Sequence, residues 1–162
     1  MRHKMILALL LWLGPLMMNA STPDVKVYRG TGVYQSDVIC TVRDAQVYKK
    51  TSVYQSDVLY TVRDNQVYRK TGTYRSDILY TVRDGKVYKG TGTYSSDIVM
   101  TIRDGKVFKG TSRYQKDILA TIRDGRVYKR TSPYRTDILF TLDGALKLAE
   151  FVAVWYTAMS VY

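Results

Sequence analysis

The chain has 162 residues, with 25 Lys or Arg against 14 Asp or Glu and a formal net charge of +11. A single cysteine, Cys40, and a single histidine, His3, exclude an intramolecular disulfide, a Cys/His metal centre and most nucleophile–base pairs. Hydrophobic residues make up 46% of the chain, which at this length suits one domain around one core.

The first segment, residues 1–20, begins with Arg2, His3 and Lys4, continues through the apolar run Met5 to Met18, and reaches Asn19-Ala20-Ser21. That order of charged, apolar and small residues predicts a secretory signal peptide cut after Ala20. Met18 stands where a small residue is preferred, which leaves an uncleaved anchor as the competing reading. The run is shorter than the ~20 residues of a membrane span, so export is expected, with no stable membrane span after cleavage. Removing residues 1–20 takes away the only histidine and leaves 23 basic and 14 acidic residues, a net charge of +9. Cys40 in an exported chain is either a buried, inert thiol or a route to dimers, and its apolar setting in the repeat favours burial.

After a lead-in at residues 21–26, a twenty-residue unit recurs six times from Val27, as in VYKKTSVYQSDVLYTVRDNQ and VYKGTGTYSSDIVMTIRDGK. A fixed period near twenty marks stacked or radial repeats whose neighbours bury a core together. Within each unit two short alternating segments flank a two-residue turn, at Asp44-Ala45, Asp64-Asn65, Asp84-Gly85, Asp104-Gly105 and Asp124-Gly125. Asp-Gly between alternating apolar runs signals a type I′ hairpin, since both central residues need positive φ. Ala45 fits this requirement least. Five contiguous hairpins follow, and Val25 to Gly30 and Asp137 to Leu142 remain as lone strands able to pair and close a ring.

In a two-residue hairpin Arg103 faces Lys106 and Ile102 faces Val107, and opposed residues share a face. The expected core face carries Ile98, Met100, Ile102 and Val107, and the other face Val99, Thr101, Arg103, Lys106 and Phe108. The Arg–Lys opposition calls for relief by Asp97, Asp104 or solvent. Thr91 to Asp97 and its equivalents form the return turn. One core position varies while its neighbours repeat: Cys40, Tyr60, Tyr80, Met100, Ala120 and Phe140. Such a position faces something that is not itself repeated.

The tail, residues 143–162, supplies it. Leu148, Phe151, Val152, Trp155, Met159 and Tyr162 fall at helical spacing, with Asp143 as the expected N-cap and no charge after Glu150. A helix apolar on nearly every side must be buried on nearly every side, as a central plug or as a solenoid cap. A terminal strand is the alternative, because Phe151 to Tyr156 is rich in strand formers. The fold class is therefore mainly β: a radial or stacked array of five to six hairpins over residues 27–142, with one C-terminal apolar helix in the same domain.

The repeated RDGKVY-type turn, the Ser/Thr-rich return turn and the tail FVAVWYTAMSVY resemble the beta-flower proteins, short exported bacterial hairpin-repeat proteins. The resemblance implies hairpin petals around an axis, in proteins without an established activity.

The residues themselves point away from catalysis. The recurring Asp37, Asp57, Asp77, Asp97, Asp117 and Asp137 are single carboxylates in turns, whereas acid/base work needs two with divergent environments. They read as turn caps and Arg partners. No calcium loop motif is present, so no metal and no cofactor is expected. The candidate site is a surface of charge and aromatics: Arg43, Arg63, Arg83, Arg103 and Arg123 with Lys86, Lys106 and Arg126 near the hairpin tips, Tyr68 and Tyr88 beside them, and further cations at 29, 49, 69, 89, 109 and 129. Such a display attracts polyanions through summed field and counterion release, and repetition adds avidity. Lipopolysaccharide, acidic polysaccharide and released DNA are the candidate partners. A structural envelope subunit that stacks edge to edge is the alternative, and oligomeric state is left open.

Overall fold

All five predicted hairpins form, and the backbone at their tips shows why these residue pairs recur. In the computed structural model, which describes residues 22–161, Asp44, Asp64, Asp84, Asp104 and Asp124 have φ of 47–50° and the residues after them φ of 59–72°. Both positions are left-handed, as a type I′ turn requires. Ala45 obeys the geometry of its neighbours at φ 59° despite its Cβ. The predicted signal peptide lies outside the described residues.

The twelve strands are β1 (Val25–Arg29), β2 (Val38–Arg43), β3 (Gln46–Lys49), β4 (Val58–Arg63), β5 (Gln66–Arg69), β6 (Ile78–Arg83), β7 (Lys86–Lys89), β8 (Ile98–Arg103), β9 (Lys106–Lys109), β10 (Ile118–Arg123), β11 (Arg126–Lys129) and β12 (Ile138–Leu142). Each pairs antiparallel with its neighbours, and β1 pairs with β12 through Val27–Leu142, Tyr28–Thr141 and Arg29–Phe140. The two lone strands thus make the sixth hairpin and close the barrel. Closure leaves no strand edge exposed.

One regular irregularity resets the alternation. Val87 pairs with Met100 but Tyr88 pairs with Ile98, so Val99 is an extra residue, and the same bulge recurs in the other five repeats. The expected core face is corrected accordingly: Met100 and Val107 point inward and are buried, but Ile98 falls on the outer wall opposite Tyr88, and Val99 packs against the core. Bulges sharpen strand twist and coil, which lets such short strands close a ring. Each bulge is pinned at the next turn: the Val99 carbonyl accepts the Gly110 N–H at 3.0 Å, and the Gly110 carbonyl accepts the Thr101 hydroxyl at 2.7 Å.

Inside runs the helix α1 (Leu148–Met159), with Val152, Ala153, Val154 and Ala158 fully buried. Twelve residues span roughly 18 Å at 1.5 Å per residue, about the height of strands of five to six residues. The tail is a central plug, neither a strand nor a cap. A twelve-stranded ring suits it, being wider than the eight-stranded barrels that side chains alone can fill. The variable core position faces α1 as expected: Tyr80 stacks on Tyr156 with centroids 4.1 Å apart and planes 5° apart, and Phe140 lies 6.3 Å from Phe151 and 6.4 Å from Trp155.

Asp143 is not the helix N-cap. Its carboxylate accepts the Lys26 N–H at 2.6 Å and ties the end of β12 to β1, five residues before the helix begins. The helix is capped by Glu150, whose carboxylate accepts the Lys147 N–H at 2.9 Å. A carboxylate in the first turn also complements the positive end of the helix dipole.

Candidate functional site

Strand connections alternate between the two ends of the barrel. The Asp-X tips lie at one end, with the N-terminus of α1; the six return turns lie at the other, with its C-terminus.

The predicted arginines and tyrosines do come together, but as pairs along the outer wall. The guanidinium carbon of Arg63 lies 4.4 Å from the Tyr68 ring centroid, Arg83 4.2 Å from Tyr88, Arg103 4.4 Å from Phe108 and Arg123 4.4 Å from Tyr128. Arg43 sits more loosely over Tyr48 at 5.5 Å. Arg63 and Arg83 also donate to the Gly72 and Gly92 carbonyls at 2.8 and 2.6 Å. The like-charge opposition of Arg83 and Lys86 is therefore relieved by a ring face, a backbone carbonyl and solvent, to which both residues are exposed, and not by Asp97 or Asp104. Among the described residues the ion pair within 4 Å is Asp24 with Arg43, whose Nε donates to Asp24 at 2.8 Å. Tyr68 and Tyr88 are half-buried with one face covered; Lys86 and Arg126 stand exposed at the tips and Lys106 is half-exposed.

The return turns are built differently. Each is one turn of 3₁₀ helix ending in Asp, and a small residue five positions earlier decides how that Asp is used. Where it is Gly, as at Gly32, Gly72 and Gly92, the Asp side chain fills the space of the missing Cβ and accepts the Tyr N–H directly, at 3.2, 3.1 and 3.1 Å. Where it is Ser, as at Ser52, Ser112 and Ser132, the hydroxyl takes that N–H and itself donates to the Asp carboxylate at 2.5–2.6 Å. The recurring Asp residues are turn caps, and their expected pairing with Arg is not formed.

The tyrosine that opens each return turn projects into solvent. Tyr34, Tyr54, Tyr74, Tyr94, Tyr114 and Tyr134 are 69–76% exposed, whereas Tyr48, Phe108 and Tyr128 on the wall are at most 9% exposed. Sequence reasoning chose the wall aromatics and missed these. Their signal was position: each sits in a polar turn, Thr-(Gly/Ser)-X-Tyr, outside any alternating strand.

Cations gather at the same end. Arg29, Lys49, Arg69, Lys89, Lys109 and Lys129 pair in register with Phe140, Cys40, Tyr60, Tyr80, Met100 and Ala120, which puts them on the inner side of the wall at the mouth. All six are exposed. Counted by backbone position among the described residues, the return-turn end holds 13 basic and six acidic residues, a net +7, and the tip end ten and eight, a net +2. Lys50, Lys70 and Arg130 add charge here in left-handed backbone, φ 50–54°, at positions where the other repeats have Gly30, Gly90 and Gly110. That conformation costs a non-glycine residue about 1 kcal/mol.

Beneath the mouth the titratable groups are quiet. Burial pushes the Cys40 thiol up to about 12, so it is no nucleophile near neutral pH. Burial, with the neighbouring Tyr80, also raises the Tyr156 and Tyr60 phenols above their ordinary value. Among the described residues no group of three His, Cys, Asp or Glu is placed to hold a metal ion, and no helix is long and apolar enough to cross a membrane.

The chain is thus a ring of six hairpin repeats closed around an axial helix, with exposed tyrosines and cations gathered at one mouth. A family model described as 6-fold beta flower protein matches residues 27–155, and the chain belongs to that family. No curated protein and no solved structure gives a significant match.

Proposed function

We propose that the protein is an exported, non-enzymatic binding module that presents its return-turn end to extracellular polyanions or acidic glycans. The observation that carries this reading is the segregation of charge, net +7 against +2, on the end where six tyrosines stand in solvent. Cations would draw a polyanion in by counterion release, and exposed rings would stack on sugars or bases. Arg43, Arg63, Arg83, Arg103 and Arg123 would serve as flanking contacts: each keeps its charge while lying over an aromatic ring. Lys86, Lys106 and Arg126, at the opposite end, would contribute through long-range field alone.

The test is binding of residues 21–162 to lipopolysaccharide, an acidic polysaccharide and DNA across a salt series, beside a charge-matched control. Binding above the control that weakens with salt, and falls more when Lys49, Lys89 and Lys109 become Ser than when Lys86, Lys106 and Arg126 do, supports the reading. Equal losses from both sets would reduce the charges to solubility. The alternative of an envelope subunit stacking edge to edge finds less support, because the closed barrel has no free strand edge.

A further inference from the structure

At the return-turn end the last turn of α1 is the unrepeated element of backbone among the described residues. A cavity of about 400 Å³ opens between the first two return turns and that turn, within the size range of small-ligand sites. Three cations line it, Arg29, Lys49 and Lys50, and none has a side-chain hydrogen bond or ion pair with another described residue. Val38, Ile39 and Leu59 give it an apolar wall. Thr157 and Ser160 add hydroxyls that already donate to the Ala153 and Thr157 carbonyls, at 2.9 and 2.6 Å, and so offer lone pairs to a ligand. Asp37 lies on the same wall, with one oxygen accepting the Tyr34 N–H.

We propose that this wedge is a subsite for a single anionic sugar residue, a pyranose carrying a carboxylate or a phosphate. The inference rests on the reading of this end as a glycan-binding surface and names the unit it holds. The cations meet the anionic substituent, the hydroxyls of α1 and the free oxygen of Asp37 accept sugar O–H groups, and the apolar wall meets the C–H face of the ring. Asp37 argues against a bare anion: a carboxylate within the wall repels an ion with no hydroxyl to donate. Thr157 and Ser160 come from the unrepeated helix, so the other repeats do not reproduce the wedge even though they reproduce its cations. Lys50 keeps a charge here in left-handed backbone, φ 50°, where three other repeats have glycine.

The experiment titrates isotope-labelled residues 21–162 with glucuronic acid, glucose 6-phosphate, glucose and inorganic phosphate, followed by amide chemical shifts. One of the two anionic sugars is expected to bind at least tenfold more tightly than glucose or inorganic phosphate, with shifts confined to residues 29, 36–39, 49–50, 59 and 157–161. The tighter of the two identifies the anion. Lys50→Gly, at a site whose backbone suits glycine, is expected to weaken binding about tenfold without loss of fold, and Lys70→Gly to leave it unchanged. Shifts spread evenly over the other repeats, phosphate binding as tightly as the sugars, or an inert Lys50→Gly would each overturn the subsite. Polyanion binding that persists without these shifts rejects the subsite and keeps the end-on reading; localised shifts without polymer binding above the control reject the polymer and keep the sugar site.

Discussion

The two ends of this barrel are joined by the same strands, yet they resolve their turns in opposite ways. At the tips, two left-handed residues reverse the chain and the charge nearly balances; at the return turns, a capped 3₁₀ turn leaves each tyrosine in solvent and cations accumulate. Backbone strain divides in the same way. At the tips it falls on Asp and Asn, which tolerate positive φ, and on Ala45; at the return turns it falls on Lys50, Lys70 and Arg130. A strained residue that packs and a strained residue that carries charge teach different lessons, and substitution separates them.

The largest effect concerns what holds the ends apart. Deleting residues 145–162 removes the plug, and the truncated chain is expected to lose cooperative unfolding and bind a hydrophobic dye. Phe140→Ala, which opens a hole against Phe151 and Trp155, is expected to cost about 3–5 kcal/mol in a urea melt. Retained cooperativity after the deletion would mean that hairpin pairing alone closes the ring.

Alkaline pH tests the core between the ends. The Cys40 thiol titrates near 9 in the unfolded chain and is pushed up to about 12 in the fold, so above pH 9 the folded state binds more protons than the unfolded state. Stability is expected to be intact below about pH 9 and to decline from there towards about 12, with the raised Tyr156 phenol adding to the fall above its ordinary value. Urea melts at pH 7 and 10.5 check this, and Cys40→Ala is expected to flatten the decline. Iodoacetamide at pH 8 is expected to label Cys40 only in unfolded chains.

A smaller effect dissects the return turn. Gly92→Ala places a Cβ 2.6 Å from the Asp97 side chain and supplies no hydroxyl, so a loss of about 1–2 kcal/mol is expected. Gly92→Ser adds the same carbon but installs the arrangement seen at Ser52 and Ser112, and is expected to stay within about 0.5 kcal/mol of the native chain. Equal losses in the two melts would show that the hydroxyl does not substitute for the direct Asp contact.

The smallest effect gives the sharpest contrast. Ala45→Gly and Lys70→Gly each relieve a left-handed residue, φ 59° and 50°, and each is expected to stabilise by about 1 kcal/mol, roughly 3 °C in Tm. Only Lys70→Gly is expected to weaken polyanion binding at low salt. If both leave binding unchanged, the strained cations of the return-turn end have no part in it.

Much of the fold was legible. Asp-Gly turns, the apolar tail and the uneven series Cys40 to Phe140 each follow from local rules; ring closure by the lone strands, and a plug in place of a solenoid cap, were one of two readings these features allowed, and pairing across more than a hundred residues decided between them. The bulge was less legible, although every repeat announces it with three consecutive apolar residues, as in Ile98-Val99-Met100, which strict alternation cannot place. Asp143 misled because a cap and a seam contact use the same carboxylate acceptor, and β1 lies 117 residues away in sequence. The candidate site was half legible. Arg63 and Tyr68 were correctly brought together, but that the ring would be covered by the guanidinium depends on a cross-strand stack that composition does not reveal.

The sequence by itself determined the hairpins, their number and the need for something unrepeated at their centre, because turn chemistry and side-chain alternation act between near neighbours. The tertiary structure decided which end of the barrel is basic and which tyrosines are free. Both depend on ring closure and on the direction in which α1 threads the ring: alternating connections gather 20-residue-spaced side chains at one mouth, and only the folded chain brings Arg29, Lys49 and Ser160 to the same wedge.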